Sequence, residues 1–248
     1  MTAPIGPTGS GWADAARERL DAAFAAARDP EAAVAMRAYM RDQFDFVGIQ
    51  NAARTAIARD AFAGLGRPTA DDVLAFAHAS WARPERDHQY VAARLLRRHV
   101  TLLDAAAIDD LRTLTITKAW WDTVDELSRN VVGPLVLAHP ELVEVMDRWI
   151  DDDDLWLART AILHQGTYKA ATDADRLFRY CLRRAADTEF FLRKAIGWAL
   201  RDYSKVDQAA VRAFVATHDA ELSGLSKREA LRYWERVAAT EARRAAGG

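Results

Sequence analysis

The chain has 248 residues, half of them apolar, with 34 basic and 36 acidic side chains and a formal net charge of -2. That length buries a substantial core, as one large domain or two small ones, and the near balance of charge excludes a partner selected by net charge alone. A single cysteine, Cys181, excludes an internal disulfide and a multi-cysteine zinc site and suits a reducing cytosol.

The opening MTAPIGPTGSGW lacks the basic and apolar regions of a secretion signal. No stretch approaches the roughly 18 apolar residues of a membrane span, so a soluble, cytoplasmic protein without membrane association is expected. Apolar residues recur three and four apart, Ala, Leu and Arg dominate, and Gly and Pro fall between such segments, which predicts an all-α chain. In chain order, helices are expected over 11–28, 30–43, 50–63, 69–82, 85–99, 103–113, 117–132, 139–150, 154–165, 173–185, 189–203, 207–220 and 226–245. Thr69 with Asp72, Thr172 with Asp175 and Ser226 with Glu229 have the spacing of a capping box. Trp81, Trp121, Trp156 and Trp198 lie 40, 35 and 42 residues apart, close to the roughly 40 to 47 residues of HEAT or armadillo units. The expected architecture is one superhelical solenoid over 11–245, with disordered ends at 1–10 and 246–248.

Within TKAWWDTVDELSRN, Trp120, Val124, Leu127 and Val131 form one apolar stripe, so Trp120 is expected in the core. Trp121 and Asp125 share a second face, and Asp122 lies four residues after Lys118, placed to pair with it. An edge-of-core tryptophan beside a solvated carboxylate is the plain account of Trp121 and Asp125. In EFFLRKAIGWALRDYSK the core stripe is Leu192, Ile196, Ala199 and Tyr203. Trp198 then lies about 200° around the helix from Ile196, between Lys194 and Arg201. Gly197, mid-helix, costs about 1 kcal/mol relative to Ala, which suggests that something approaches the backbone there. That face has the chemistry of a nucleic-acid surface or of a protein interface.

Arg94, Arg97 and Arg98 make one cationic face, and Arg176, Arg179 and Arg183 another; each answers either phosphates or neighbouring acidic residues. DDDD, at 151–154, suits the start of a helix and is assigned no metal. Arg159, the one charge in LWLARTAIL, needs either an ion-pair partner or a phosphate at the surface, and both readings stay open.

Together MRAYMRDQFDFVGIQN, KAWWDTVDEL, WLARTAILHQ, FFLRKAIGWALRDYSK and LSGLSKREALR, in order over nearly the whole chain, resemble the bacterial AlkD-like DNA alkylation-repair family. That family consists of HEAT-like-repeat glycosylases that remove positively charged alkylated purines. The resemblance implies a right-handed superhelix of antiparallel helix pairs whose concave face holds duplex DNA, with the lesion engaged from the backbone side. It implies Trp121, Asp125 and Trp198 as catalytic and Arg159 as an arginine near the lesion backbone, and it places Tyr39 in the N-terminal motif. Lys194, Arg201, Arg94, Arg97 and Arg98 are the further expected DNA contacts. Ala158 stands where a second arginine is usual, and Ala52 where proline is common.

The implied reaction is hydrolysis of the N-glycosidic bond of 3-methyladenine or 7-methylguanine in double-stranded DNA, by a monomer without metal or organic cofactor. The cationic base needs no general acid to leave. Asp125 is then expected to stabilise the oxocarbenium-like sugar and orient water. Two other classes remain: a non-catalytic binder of damaged or branched DNA, and a helical protein-interaction scaffold.

Overall fold

The computed structural model describes residues 11–246. The expected disorder of 1–10, and of the last two residues, lies outside them. Among the described residues the secondary structure is helical, with one isolated parallel bridge between Asp45 and Glu85. No described helix is long and apolar enough to cross a membrane. The all-helical expectation holds. By its internal contacts the chain divides into two compact units after Lys118.

The first unit contains α1 (Gly11–Ala26), α2 (Pro30–Tyr39), α3 (Asn51–Phe62), α4 (Ala70–Ala82), α5 (Arg86–Arg98) and α6 (Ile108–Ile116). Trp12, Phe62 and Phe76 bring α1, α3 and α4 together, with ring centroids 5.4 to 6.3 Å apart. The Thr69 capping box forms as the sequence predicts. α2 stops at Tyr39, short of the expected 43, because Arg41 and Asp42 turn into the left-handed region at φ 55° and 56°. The segment after it is pinned by buried charge. The carboxylate of Asp87, fully buried, accepts from the backbone N–H groups of Val47 (2.7 Å) and Ile49 (3.3 Å). Arg86, also fully buried, donates to Gln89 Oε1 and to the carbonyl oxygen of Lys118, and its guanidinium lies 3.9 Å from the Phe44 ring centre. α3 begins at Asn51, so Ala52 is a helix-start position.

In the second unit, α7 (Trp121–Leu127), a π turn over Ser128–Val132 and α8 (Gly133–Ala138) make one continuous helix. After it come α9 (Val143–Trp149), α10 (Leu155–Leu163), α11 (Ala174–Arg183), α12 (Phe190–Tyr203), α13 (Gln208–Thr217) and α14 (Gly224–Ala246). α14 therefore includes Ala246, the first residue of the end expected to be disordered. α7, α10, α12 and α14 pack in succession as one row, and α9 and α11 belong to a second, joined by Asp147 to Arg179 and Tyr180. Phe178 of α11 stacks on Phe214 of α13 at 4.4 Å. Side chains linking successive helices of the first row are 28 to 35 residues apart in sequence. The row thus repeats on a shorter period than most of the tryptophan spacings. Those tryptophans are not equivalent positions: Trp81 and Trp156 are buried, whereas Trp121 and Trp198 are half-buried.

Two of the expected caps are corrected. Asp173, not Thr172, caps α11 by accepting from the Arg176 N–H, and Ser223 accepts from the Ser226 N–H at the start of α14. Asp154 caps α10, as expected of DDDD. Lys118 and Asp122 do not share the helical turn that the sequence predicts. Lys118 has φ 49°, so α7 starts only at Trp121, and the lysine ammonium donates to the carbonyl oxygen of Arg83.

The π turn has a local cause. Pro134 supplies no N–H to the helical ladder, and Ser128 Oγ donates to the Val124 carbonyl oxygen (2.6 Å) while meeting Thr160 Oγ1 at 2.9 Å. Gly133 lets this helix touch the end of α10, because a Cβ there would collide with the carbonyl oxygen of His164. His164 is itself fully buried, and burial pushes its pKa down to about 4 from 6.5. The folded protein holds the ring neutral while the unfolded chain titrates normally. Stability is therefore full above about pH 6.5 and falls as the pH drops toward 4, by about 2 to 3 kcal/mol for this residue. Urea denaturation between pH 7.5 and 4.5 reads the effect. His164→Gln should flatten the slope by that amount, and an unchanged slope would refute the assignment.

Candidate active site

Trp120 precedes α7 in extended conformation (φ -159°, ψ 159°), so Trp121 opens the helix and Asp125 follows one turn later on the same face. Trp120 is half-buried rather than fully enclosed, packing on Trp156 (5.9 Å) and Phe191 (5.2 Å), whereas Val124, Leu127 and Val131 are fully buried as expected.

Across from α7, Arg159 of α10 meets Asp125 side-on. Its Nε donates to Oδ1 at 2.7 Å and an Nη to Oδ2 at 2.9 Å, the bidentate fork that matches a carboxylate plane. The other terminal nitrogen donates to the carbonyl oxygen of Phe191, on α12. The Arg159 side chain is 1% exposed and that of Asp125 15%. The guanidinium carbon lies 5.4 Å from the Trp198 ring centre and 5.8 Å from that of Phe191. Arg159, expected near the lesion backbone, is held here in an ion pair with Asp125. Of the two readings left open by the sequence, the molecule takes the ion pair, because a buried guanidinium requires a carboxylate and has no surface to offer. Ala158 beside it is fully buried.

Trp198 does not face open solvent, as its helical angle suggested. Its Nε1–H donates to Glu229 Oε2 of α14 (3.2 Å), and the same carboxylate takes Lys194 (2.7 Å) and Arg201 (2.8 Å). Burial drives the Glu229 pKa up, but the Lys194 hydrogen bond and charge, followed by the charges of Arg201 and Arg232, bring it below the ordinary carboxylate value. Lys194 and Arg201 lie 5.6 and 5.7 Å from the Trp198 ring centre. Gly197 is also explained from within. What approaches its backbone is α14, since a Cβ there would sit 2.5 Å from the Glu229 Cβ and 2.8 Å from the Ser226 carbonyl oxygen.

The structure thus gathers Asp125, Arg159 and Trp198 at one place, with Trp121 one turn from Asp125 and with Lys194 and Arg201 around Glu229. Sequence reasoning missed Glu229, because Ser226-x-x-Glu229 reads equally as a capping box; here Ser226 Oγ instead donates to the Arg193 carbonyl oxygen. The remaining candidates belong to the first unit. Tyr39 ends α2 with 71% exposure, and Arg94, Arg97 and Arg98 are exposed on α5, Arg94 donating to Thr55. Arg176, Arg179 and Arg183 pair with Asp173, Asp147 and Asp151, which answers that cluster with acidic neighbours rather than phosphate.

A family model described as DNA alkylation repair enzyme matches residues 20–234. The chain belongs to that family. Among solved structures, one described as a predicted DNA alkylation repair enzyme from Enterococcus faecalis superposes with a TM-score of 0.76 at 29% identity, covering 83% of this chain and 96% of that one. No curated protein matches the chain. Membership of the alkylation-repair family makes this a DNA-repair enzyme.

The packing at Gly197 can be tested by its sign. Helix propensity alone favours Ala by about 1 kcal/mol, whereas forced overpacking costs about 1 to 3 kcal/mol. Gly197→Ala should therefore lower unfolding free energy in urea. A variant about 1 kcal/mol more stable than the wild type, as propensity alone gives, would rule out the close approach of α14.

Proposed function

We propose that the protein is a DNA glycosylase that hydrolyses the N-glycosidic bond of cationic N3- and N7-alkylated purines in duplex DNA, as a monomer without metal or cofactor. The observation that carries this reading is the Asp125–Arg159 pair, whose arginine is buried while its carboxylate keeps partial exposure beside Trp198. A carboxylate offers about four acceptor positions, and the bidentate fork takes two. Those left over can orient an attacking water, and their negative edge faces outward because the positive partner lies behind.

The pairing moderates the electrostatic effect. At an effective dielectric of about 20, a developing sugar cation about 4 Å from the carboxylate and about 8 Å from the guanidinium gains about 2 kcal/mol. This corresponds to about thirtyfold in rate, of which only the part absent from the ground state accelerates the reaction. Trp121 and Trp198 supply aromatic surface to the electron-poor sugar and cationic base, each contributing about 0.5 to 2 kcal/mol. The Glu229 hydrogen bond fixes the Trp198 ring in place. Arg159 acts through Asp125 and is a positioning residue in this scheme.

A non-catalytic binder of damaged DNA is favoured by one feature, that a neutralised carboxylate also serves as plain structure. Chromatography of bases released from methylated duplex DNA separates the two. The wild type should liberate 7-methylguanine or 3-methyladenine, and Asp125→Asn, which removes the carboxylate attraction of about 4 kcal/mol and leaves the guanidinium, should slow release by up to about a thousandfold. Because Asp125→Asn strands a buried guanidinium, at a cost of about 3 to 5 kcal/mol, a second variant is needed. Asp125→Leu with Arg159→Met removes both charges, so it should stay folded and release no base. Undiminished release by either variant, or none by the wild type, would overturn the assignment.

A further inference from the structure

α12 and α14 run side by side in the same direction: Gly197 meets Ser226, Arg201 meets Glu229, and the Trp234 indole donates to the carbonyl oxygen of Ser204. α12 ends at Tyr203, but α14 continues to Ala246. Along and beyond that end lies a groove of about 590 Å³, lined by Arg201, Lys205, Arg232, Tyr233, Arg236 and Arg244, with Glu241 the one acidic side chain among its described lining residues. Positions 232, 236, 240 and 244 recur every four residues, so the groove side of α14 carries an arginine or Thr240 at steps of about 6 Å.

Three of these cations already have carboxylate neighbours. Arg201 pairs with Glu229, Lys205 with Asp202, and Arg232 lies 3.8 Å from Glu229. Arg236 and Arg244 form no ion pair among the described residues, so neither charge is held by a carboxylate. The family model matches residues 20–234, so both arginines, with Thr240 and Glu241, lie outside the matched residues. Arg201 links the groove to the candidate site, since it also holds the carboxylate that receives the Trp198 N–H.

We propose that this groove is a second DNA contact, in which Arg236 and Arg244 bind backbone phosphates of the duplex to one side of the lesion. Tyr233, 39% exposed and with Lys205 5.6 Å from its ring centre, adds an amphipathic wall suited to a sugar-phosphate strand. The contact carries no base information, because a phosphate contact positions the protein without reading sequence. The inference rests on duplex DNA being the substrate, and does not require that base release occurs at Asp125.

Fluorescence anisotropy with the full-length protein, on methylated and unmodified duplexes between about 50 and 200 mM salt, tests it. Neutralising two phosphate contacts in Arg236→Gln/Arg244→Gln should reduce the slope of log affinity against log salt by about 1.8 and weaken both duplexes equally, by roughly tenfold or more. Arg236→Lys/Arg244→Lys should keep the wild-type slope, which guards against a folding defect. An unchanged slope in the Gln variant would overturn the proposal, as would a loss confined to methylated DNA. Tight binding of inorganic phosphate by the wild type, with the DNA slope unaffected by the Gln pair, would also overturn it. A reduced slope in a protein whose wild type releases no base would support the groove while removing the glycosylase reading. Base release with an unchanged slope would do the reverse.

Discussion

The bidentate contact between Arg159 and Asp125 is the constraint on which the second unit is organised. A guanidinium that is 1% exposed must have its charge answered, and the answer comes from two helices at once: the carboxylate of α7 and a main-chain carbonyl oxygen of α12. One side chain on α10 therefore fixes three consecutive helices of the row. Breaking such a pair from one side costs several kcal/mol, whereas forming it contributes little net stability. Its value lies in defining where each helix sits.

Glu229 repeats the arrangement one step along the row with the signs reversed. A buried carboxylate on α14 collects a lysine, an arginine and an indole N–H from α12. The packing beneath it is close enough to require glycine at 197. Both nodes converge on Trp198, whose ring has Arg159, Lys194 and Arg201 within 6 Å. Its orientation is consequently set by charge on one helix and a hydrogen bond on the next.

Near Trp198 most charge is internally cancelled, so this region alone is a weak attractor of DNA. In the proposed complex, long-range attraction falls to cations outside this region. The proposed contact at Arg236 and Arg244 of α14 would supply it in the second unit, and in the first Arg94, Arg97 and Arg98 are exposed on α5.

The helical class, the approximate extent of nearly every helix and the family were legible in the sequence, because apolar periodicity and ordered motifs are local properties of the chain. So were the buried stripe Val124, Leu127 and Val131, the Thr69 cap and the helix start at DDDD. The direction faced by a polar side chain was not. Helical angle placed Trp198 and Gly197 on an outer face, and only the arrival of α14 buried Gly197 and left Trp198 half-covered. Arg159 could equally have met phosphate, and Ser226 with Glu229 could equally have been a cap. Each ambiguity concerned partners some 30 residues away, and no window of sequence encodes which distant helix will pack against which. The chemistry present was written in the residues; which charges answer one another, and which stay available to a ligand, was decided by tertiary packing.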